Sequence, residues 1–254
     1  MLRLFALFSA LGFLAAACAS PERVVLSAGP DQQSIIRQGV PALTSQKKHF
    51  VILRPNTHLV QRDARSAFTV AVHNSGRTPV TLYESSLRAE QTIKGKTVAV
   101  RIFRYDDLVK EEQTRQRVAA VGAALSGVAN AMAASNAGYV NTTGSVTTYG
   151  PGGTRHGTYS ATTYDPLRAQ IAQQNASANT AADFERIRAD GDANLGRLET
   201  TILKDNTVLP GEWSGGTIVL APPERSDNSP ASYSIVVAFG GEDHIFAVWH
   251  VAQQ

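Results

Sequence analysis

Val118-Ala-Ala-Val121-Gly-Ala-Ala-Leu125-Ser-Gly127-Val128-Ala-Asn130-Ala131-Met132 is the stretch on which the architecture turns. Val118, Val121, Leu125, Val128 and Met132 recur at spacings of three and four, which places them on one stripe of an α-helix. Ala119, Ala123, Gly127 and Ala131 fall every fourth residue between them and form a ridge of small side chains that lets another helix approach closely. Upstream, Asp106 and Asp107 suit the positive end of a helix dipole. Downstream, Asp165-Pro166 reads as an N-cap followed by proline at the first helical position. The residues after it carry a second apolar series: Leu167, Ile171, Ala178, Phe184, Ile187, Gly191, Leu195, Leu198 and Ile202. Two long helices joined by a local tip pack antiparallel, so residues 106–202 are predicted to be an αα-hairpin with the alanine ridge of the first helix against the stripe of the second.

No charged residue occurs from Val118 to Thr154, which raises membrane insertion as an alternative. The run is rich in Ala, Gly, Ser and Asn rather than Leu and Ile, and Asn130, Ser135 and Asn136 are costly in hydrocarbon, so packing against the second helix is the reading kept. Between the helices, residues 139–164 repeat Thr, Gly and Tyr around Pro151-Gly-Gly153. This tip is either a β-hairpin or a loop. Its tyrosines, Tyr139, Tyr149, Tyr159 and Tyr164, are the candidate partner-binding residues, because exposed tyrosine is an efficient contact residue.

Outside 106–202 the periodicity changes from helical to alternating. Phe50-Val-Ile-Leu53, Phe68-Thr-Val-Ala-Val-His73, Thr78-Pro-Val-Thr-Leu82 and Val98-Ala-Val-Arg-Ile-Phe-Arg104 precede the arm. Asn206-Thr-Val-Leu209, Gly216-Thr-Ile-Val-Leu-Ala221, Tyr233-Ser-Ile-Val-Val-Ala-Phe239 and His244-Ile-Phe-Ala-Val-Trp-His-Val251 follow it. Tyr233, Ile235, Val237 and Phe239 fall on one face. Turn residues such as Asn74-Ser-Gly-Arg77, Pro210-Gly211 and Gly240-Gly241 separate the runs, and strand spacing of about 8–12 residues indicates a sandwich or barrel. Val70-Ala-Val-His-Asn-Ser-Gly-Arg-Thr-Pro-Val-Thr-Leu82 is similar to the early strands of bacterial immunoglobulin-like domains. The predicted class is therefore α+β: an immunoglobulin-like antiparallel β-sandwich from residues 49–105 and 203–254, with the long αα-hairpin of 106–202 inserted between its strands. Each half supplies too few strands for a two-sheet core alone, so the two halves are expected to form one domain.

The first residues set the address. One arginine, Arg3, an apolar run of about fourteen residues and small residues before Cys18 read as a signal peptide over residues 1–17, too short to span a bilayer. Leu14-Ala15-Ala16-Ala17-Cys18 resembles the lipobox of bacterial lipoproteins, with leucine four places before the cysteine instead of three. The resemblance implies that Cys18 is diacylated and becomes the new N-terminus. In that family an aspartate after the cysteine favours inner-membrane retention; here Ala19 and Ser20 follow, which implies an outer-membrane, periplasm-facing protein anchored to the membrane by lipid on Cys18. Cys18 is the single cysteine, so no intramolecular disulfide can form. Residues 18–48, polar with Pro21, Pro30 and Pro41, read as a tether spanning roughly 30 Å as flexible coil.

With 43% hydrophobic and 18% charged residues over 254 positions, the chain can bury a substantial core. Its net charge of +3 falls further when Arg3 is removed, and no basic stripe with interleaved aromatics appears, so nucleic acid is excluded as a partner. No catalytic residue emerges. His49, His58, His73, His156, His244 and His250 show no metal-ligand spacing, and His244, beside Glu242 and Asp243, reads as a solvated turn residue. Ser45-x-x-Lys48 lacks the companion motifs of penicillin-binding enzymes. Asp190-x-Asp192-x-Asn194 opens like a calcium loop, but Leu195 and Thr201 stand where glycine and glutamate are needed. No metal and no cofactor are expected. The functional expectation is a non-enzymatic envelope lipoprotein that binds or assembles another envelope protein through its arm; the alternative is a ligand-binding or hydrolytic β-sandwich domain in the periplasm.

Overall fold

The computed structural model describes residues 21–37, 39–225 and 230–252. Cys18 and the segment read as a signal peptide lie outside these residues. In chain order the elements are β1 (Pro21–Ser27), β2 (Gln32–Arg37), β3 (Val40–Gln46), β4 (Phe50–Pro55), β5 (Leu59–Gln61), β6 (Ser66–His73), β7 (Val80–Leu82), β8 (Leu87–Ile93), β9 (Lys96–Val100) and β10 (Ile102–Phe103). Then come α1 (Tyr105–Asn136), β11 (Tyr139–Gly150), β12 (Gly153–Tyr164) and α2 (Pro166–Thr201). The chain closes with β13 (Asn206–Val208), β14 (Trp213–Leu220), β15 (Ala231–Phe239) and β16 (Glu242–Ala252). The class is α+β with antiparallel sheets. The chain divides into two compact units: Tyr105–Thr201 is one, and the chain on either side of it forms the other.

The β unit holds two six-stranded sheets, ordered β5-β1-β16-β15-β8-β9 and β10-β14-β6-β4-β3-β2, and a short β13-β7 pair. Both sheets contribute to a single cluster of buried side chains. Phe68 from β6 meets Tyr233 from β15 edge to face, with ring centroids 6.4 Å apart. Alternation explains which residues take part: Tyr233, Ile235, Val237 and Phe239 are all buried, as are Phe68, Val70 and Val72 on β6 and Phe246 and Val248 on β16. Each large apolar side chain so buried contributes about 1.5–3 kcal/mol.

Turn chemistry sets the register. Gly240 and Gly241 take φ of 62° and 82° and join β15 to β16, a conformation a side chain would strain. Asn74 is buried at the end of β6; its amide donates to the Thr78 and Val208 carbonyls at 2.8 and 2.9 Å, and its oxygen accepts from the Gly76 amide. This local hydrogen bonding is what the Asn-Ser-Gly segment signals.

The tether expectation for 18–48 is corrected over its described part. Residues 21–46 form three strands, and β1 lies between β5 and β16 with Val24 buried. The prolines do not break this arrangement. Pro41 pairs with Ile36 on β2, while β3 pairs with β4 only from Leu43 onward, so the proline sits where its missing N–H removes nothing from the β3–β4 ladder.

Candidate functional site

In the 105–201 unit, α1 and α2 pack against each other through small residues. A Cβ on Gly127 would stand 2.9 Å from Thr180 Cγ2, one on Gly191 2.2 Å from Gln116 Nε2, and one on Gly138 2.9 Å from Ala169 Cβ. These contacts run in opposite directions along the two helices and fix an antiparallel register. Ala134, Ala169, Ala176 and Gly191 are buried in the seam. Asp165 caps α2, its Oδ1 accepting from the Leu167 and Arg168 amides at 3.0 and 3.1 Å. Nearer the β unit in sequence, the Arg115 guanidinium grips Glu112 with two hydrogen bonds of 2.8 and 2.6 Å. Those bonds, with donors on Gln116 and Asn194 and against the opposing effect of burial, hold the Glu112 carboxyl down at about 2.

The small-residue ridge of α1 thus faces α2, but the facing stripe differs from the one read in the sequence. Leu167 and Ile171 are 64% and 50% exposed, Phe184 is 40% exposed, and Ala178 also faces solvent. Ile202 belongs to the β unit. Helical pitch gives the reason: at 3.6 residues per turn, Leu167 lies about 200° around the axis from Ile187. The two therefore cannot share one face.

The larger surprise is the outer side of α1. Val118, Val121, Leu125, Val128 and Met132 are 67, 61, 68, 55 and 65% exposed. A small-residue seam on one side leaves the large side chains on the other, where solvated charge is the usual finding. By length and composition α1 is also apolar enough to cross a membrane.

Residues 139–164, read as hairpin or loop, form a two-stranded antiparallel ribbon with Tyr139 opposite Tyr164 and Gly150 opposite Gly153. The four tyrosines are exposed but do not converge. Tyr139 and Tyr164 touch at the base, rings 5.0 Å apart. Tyr149 stands near the turn on the same face. Tyr159 is on the opposite face, lying over Gly144, where a Cβ would meet its ring at 2.6 Å. Along the described ribbon neither face is covered, and the sheet has two strands only.

The β unit contains a polar cluster that the sequence did not signal. Glu22, buried on β1, pairs with Arg225, whose side chain is 10% exposed. His250 places Nδ1 3.5 Å from the Glu22 carboxylate and Nε2 3.1 Å from the Tyr233 hydroxyl. Burial, only partly opposed by Glu22, lowers the His250 pKa, and burial raises that of Tyr233. His250 is wholly buried, while Arg225 lines a small surface hollow with Gln91, Lys94 and Ser232. The one local clue was Glu22 preceding the Val24-Val25-Leu26 run. His244, read as solvated, is also fully buried, with Nδ1 2.9 Å from the Ser45 hydroxyl. Alternation along β16 turns it inward, and this outweighs its acidic neighbours. On the outer side of the second sheet, Ala42, Ile52, Thr69 and Ala71 floor a shallow hollow flanked by Arg37, Arg54 and Trp213.

No protein-family model, no characterised protein and no solved structure matches the chain.

Proposed function

We propose that the chain is a lipid-anchored envelope protein of the outer membrane, facing the periplasm, that acts without catalysis as a binding or assembly factor through its helical arm. In this reading the β unit is an immunoglobulin-like sandwich into which the arm is inserted, Cys18 carries the lipid, and the other partner is an envelope protein; nucleic acid has no part. The observation that carries it is the uncovered apolar side of α1. Monomeric soluble proteins rarely leave a contiguous apolar patch of this kind open, and such a patch marks an interaction site.

The correction to the tether sharpens the picture. Only Ala19 and Ser20 separate Cys18 from the start of β1 at Pro21, and an extended chain covers about 3.3–3.6 Å per residue. An acylated Cys18 therefore holds the first strand close against the bilayer surface. Two or more acyl chains make such anchoring stable. The alternative, a ligand-binding or hydrolytic domain, would rest on the Arg37, Arg54 and Trp213 hollow or on the Glu22 and His250 cluster, whose Glu22 and His250 are both buried.

Excision of residues 105–201 with a short linker tests the reading. The remaining β unit is expected to stay folded and lipidated while its envelope partners are lost from affinity capture. Retention of every partner by the excised protein would move the binding surface elsewhere. Cys18→Ser is expected to abolish labelling by a fatty-acid probe and leave uncleaved precursor, and normal labelling of that variant would remove the lipid from the account.

A further inference from the structure

We propose that the surface covering the outer side of α1 is a second copy of this chain: neighbouring arms self-associate, the apolar stripe of one α1 seated on the next arm, with their ribbons pairing edge to edge. This rests on the reading of residues 105–201 as the interacting part and names the partner.

The spacing of the stripe is the first support. From Val118 to Met132 the apolar positions fall at three, four, three and four residues, the a and d pattern of a helix that meets another helix along a narrow seam. On α1 most of that seam points away from α2, with Val128 at its margin sharing a hollow with Thr180 and Phe184, and all five side chains stay more than half exposed. Area is the second. A face of about four turns carrying five such side chains, together with one open edge of a twelve-residue strand, covers on the order of 800 Å², the per-partner area of a standard stable interface. Charge is the third. No charged residue lies between Val118 and Thr154, so α1 from Val118 onward and β11 bring no charge of their own that the charged side chains of a neighbouring arm could repel.

The ribbon points the same way. An isolated two-stranded sheet is marginal in water, and β11 and β12 gain no stability from a covered face. Each strand presents one outward row of backbone donors and acceptors, which is a template for a further strand. The outward edge of β11 continues from α1, and that of β12 leads into α2. A head-to-tail contact therefore sets α1 and β11 of one molecule beside α2 and β12 of the next, and repetition of that contact builds a ring where its rotation closes and an open filament where it does not. The exposed side of α2 presents Ala178, Ala182 and Ala189 to the larger side chains, with Glu185 and Asp192 at the margin of the same face.

A bilayer is the competing occupant and fits less well. The contacts between Gly127 and Thr180 and between Gln116 and Gly191 place Asp183, Glu185, Arg186 and Asp190 of α2 alongside the Val118–Leu125 portion of the stripe. Inserting α1 would carry these charges into hydrocarbon with it.

The test uses the full lipidated chain purified in detergent and compares it with Leu125→Glu/Val128→Glu by sedimentation velocity and native mass spectrometry. Both chains carry the same lipid, so a difference between them belongs to the arm. The wild type is expected to be oligomeric, and the double variant to dissociate with a constant raised about 100-fold or more. Should the double variant lose helical circular dichroism, Leu125→Ala/Val128→Ala replaces it with the same expectation in direction. A wild type that is monomeric at about 50 μM, or an oligomer indifferent to these substitutions, overturns the proposal. A Cys18→Ser chain that is monomeric but floats with phosphatidylethanolamine/phosphatidylglycerol vesicles through the same residues overturns it in favour of the bilayer. A monomeric wild type whose arm still captures an envelope protein defeats self-association alone, whereas an oligomer that survives excision of 105–201 defeats the arm as the interacting part as well.

Discussion

The two units of this chain place their large apolar side chains in opposite ways. In the β unit Phe68, Phe239, Phe246, Leu43 and Leu53 are fully buried between the sheets. In the arm the buried positions are alanines and glycines apart from Leu108 near the start of α1, while Val118, Leu125 and Met132 face outward. One unit closes over its own hydrophobic surface, and the other keeps its hydrophobic surface available. The difference teaches that hydrophobic content alone does not locate a core: small residues brought two helices together, and that contact turned the larger ones out.

The strongest way to break this contrast is to truncate one residue of each kind. Phe246→Ala removes a fully buried ring from between the sheets and is expected to cost about 3–5 kcal/mol of stability. Leu125→Ala, examined in the dissociated protein, is expected to stay within about 0.5 kcal/mol of wild type. Denaturant titration followed separately by tryptophan fluorescence, which reports on Trp213 and Trp249 in the β unit, and by helical circular dichroism, which reports on the arm, measures both. Equal costs would mean that the α1 stripe is covered within the monomer.

Local pattern explains which parts of this arrangement could be read in advance. The alternation at Tyr233, Ile235, Val237 and Phe239, the paired glycines at Gly240-Gly241 and the Asp165-Pro166 helix start all depend on neighbouring residues, and the sequence displays them directly. What it does not display is pairing at a distance. β1 is held by β16, with Glu22 opposite Ala252, and nothing in residues 21–27 names that partner, so a short apolar run flanked by prolines reads as tether. The Glu22, Arg225 and His250 cluster was hidden for the same reason: its members come from three separated stretches. On α1 the alanine ridge, the face expected against the second helix, is the one that meets α2, and the exposure of Val118, Leu125 and Met132 is its geometric consequence; what the pattern did not show is the face of α2 that takes part.

A smaller effect probes the seam itself. Gly127→Leu forces a side chain into the space held by Thr180, which a Cβ would already meet at 2.9 Å. Overpacking of this kind typically costs about 1–3 kcal/mol. The cost is expected in the arm alone: helical signal melts earlier, while the fluorescence transition of the β unit is unmoved. A β unit that melts earlier by the same amount would show that the two units unfold as one, and the contrast between them would lose its thermodynamic meaning.

The smallest and most graded expectation is a difference in acid response. His49, His244 and His250 are buried in the β unit, and burial lowers the pKa of each below the ordinary 6.5, with Lys48 adding to the effect at His49 and Lys47 at His244. A histidine whose folded pKa lies below its unfolded value binds its proton more readily when unfolded. Its stabilising contribution is therefore complete above about pH 6.5 and is lost as pH falls through the folded value. The arm's main shifted carboxylate behaves alike but lower on the scale: Glu112 moves from 4.5 to about 2. Its contribution is complete above pH 4.5 and declines only towards pH 2. Lowering pH from 7.5 to 5 is thus expected to destabilise the β unit while the intrahelical Glu112 contact in the arm persists. Melting curves at pH 7.5, 6, 5 and 4 separate the two, and His250→Gln, which keeps polar atoms but carries no proton in this range, should flatten part of the decline in the β unit. An arm that weakens first between pH 7.5 and 5 would reverse the order and assign the acid-sensitive groups to the wrong unit.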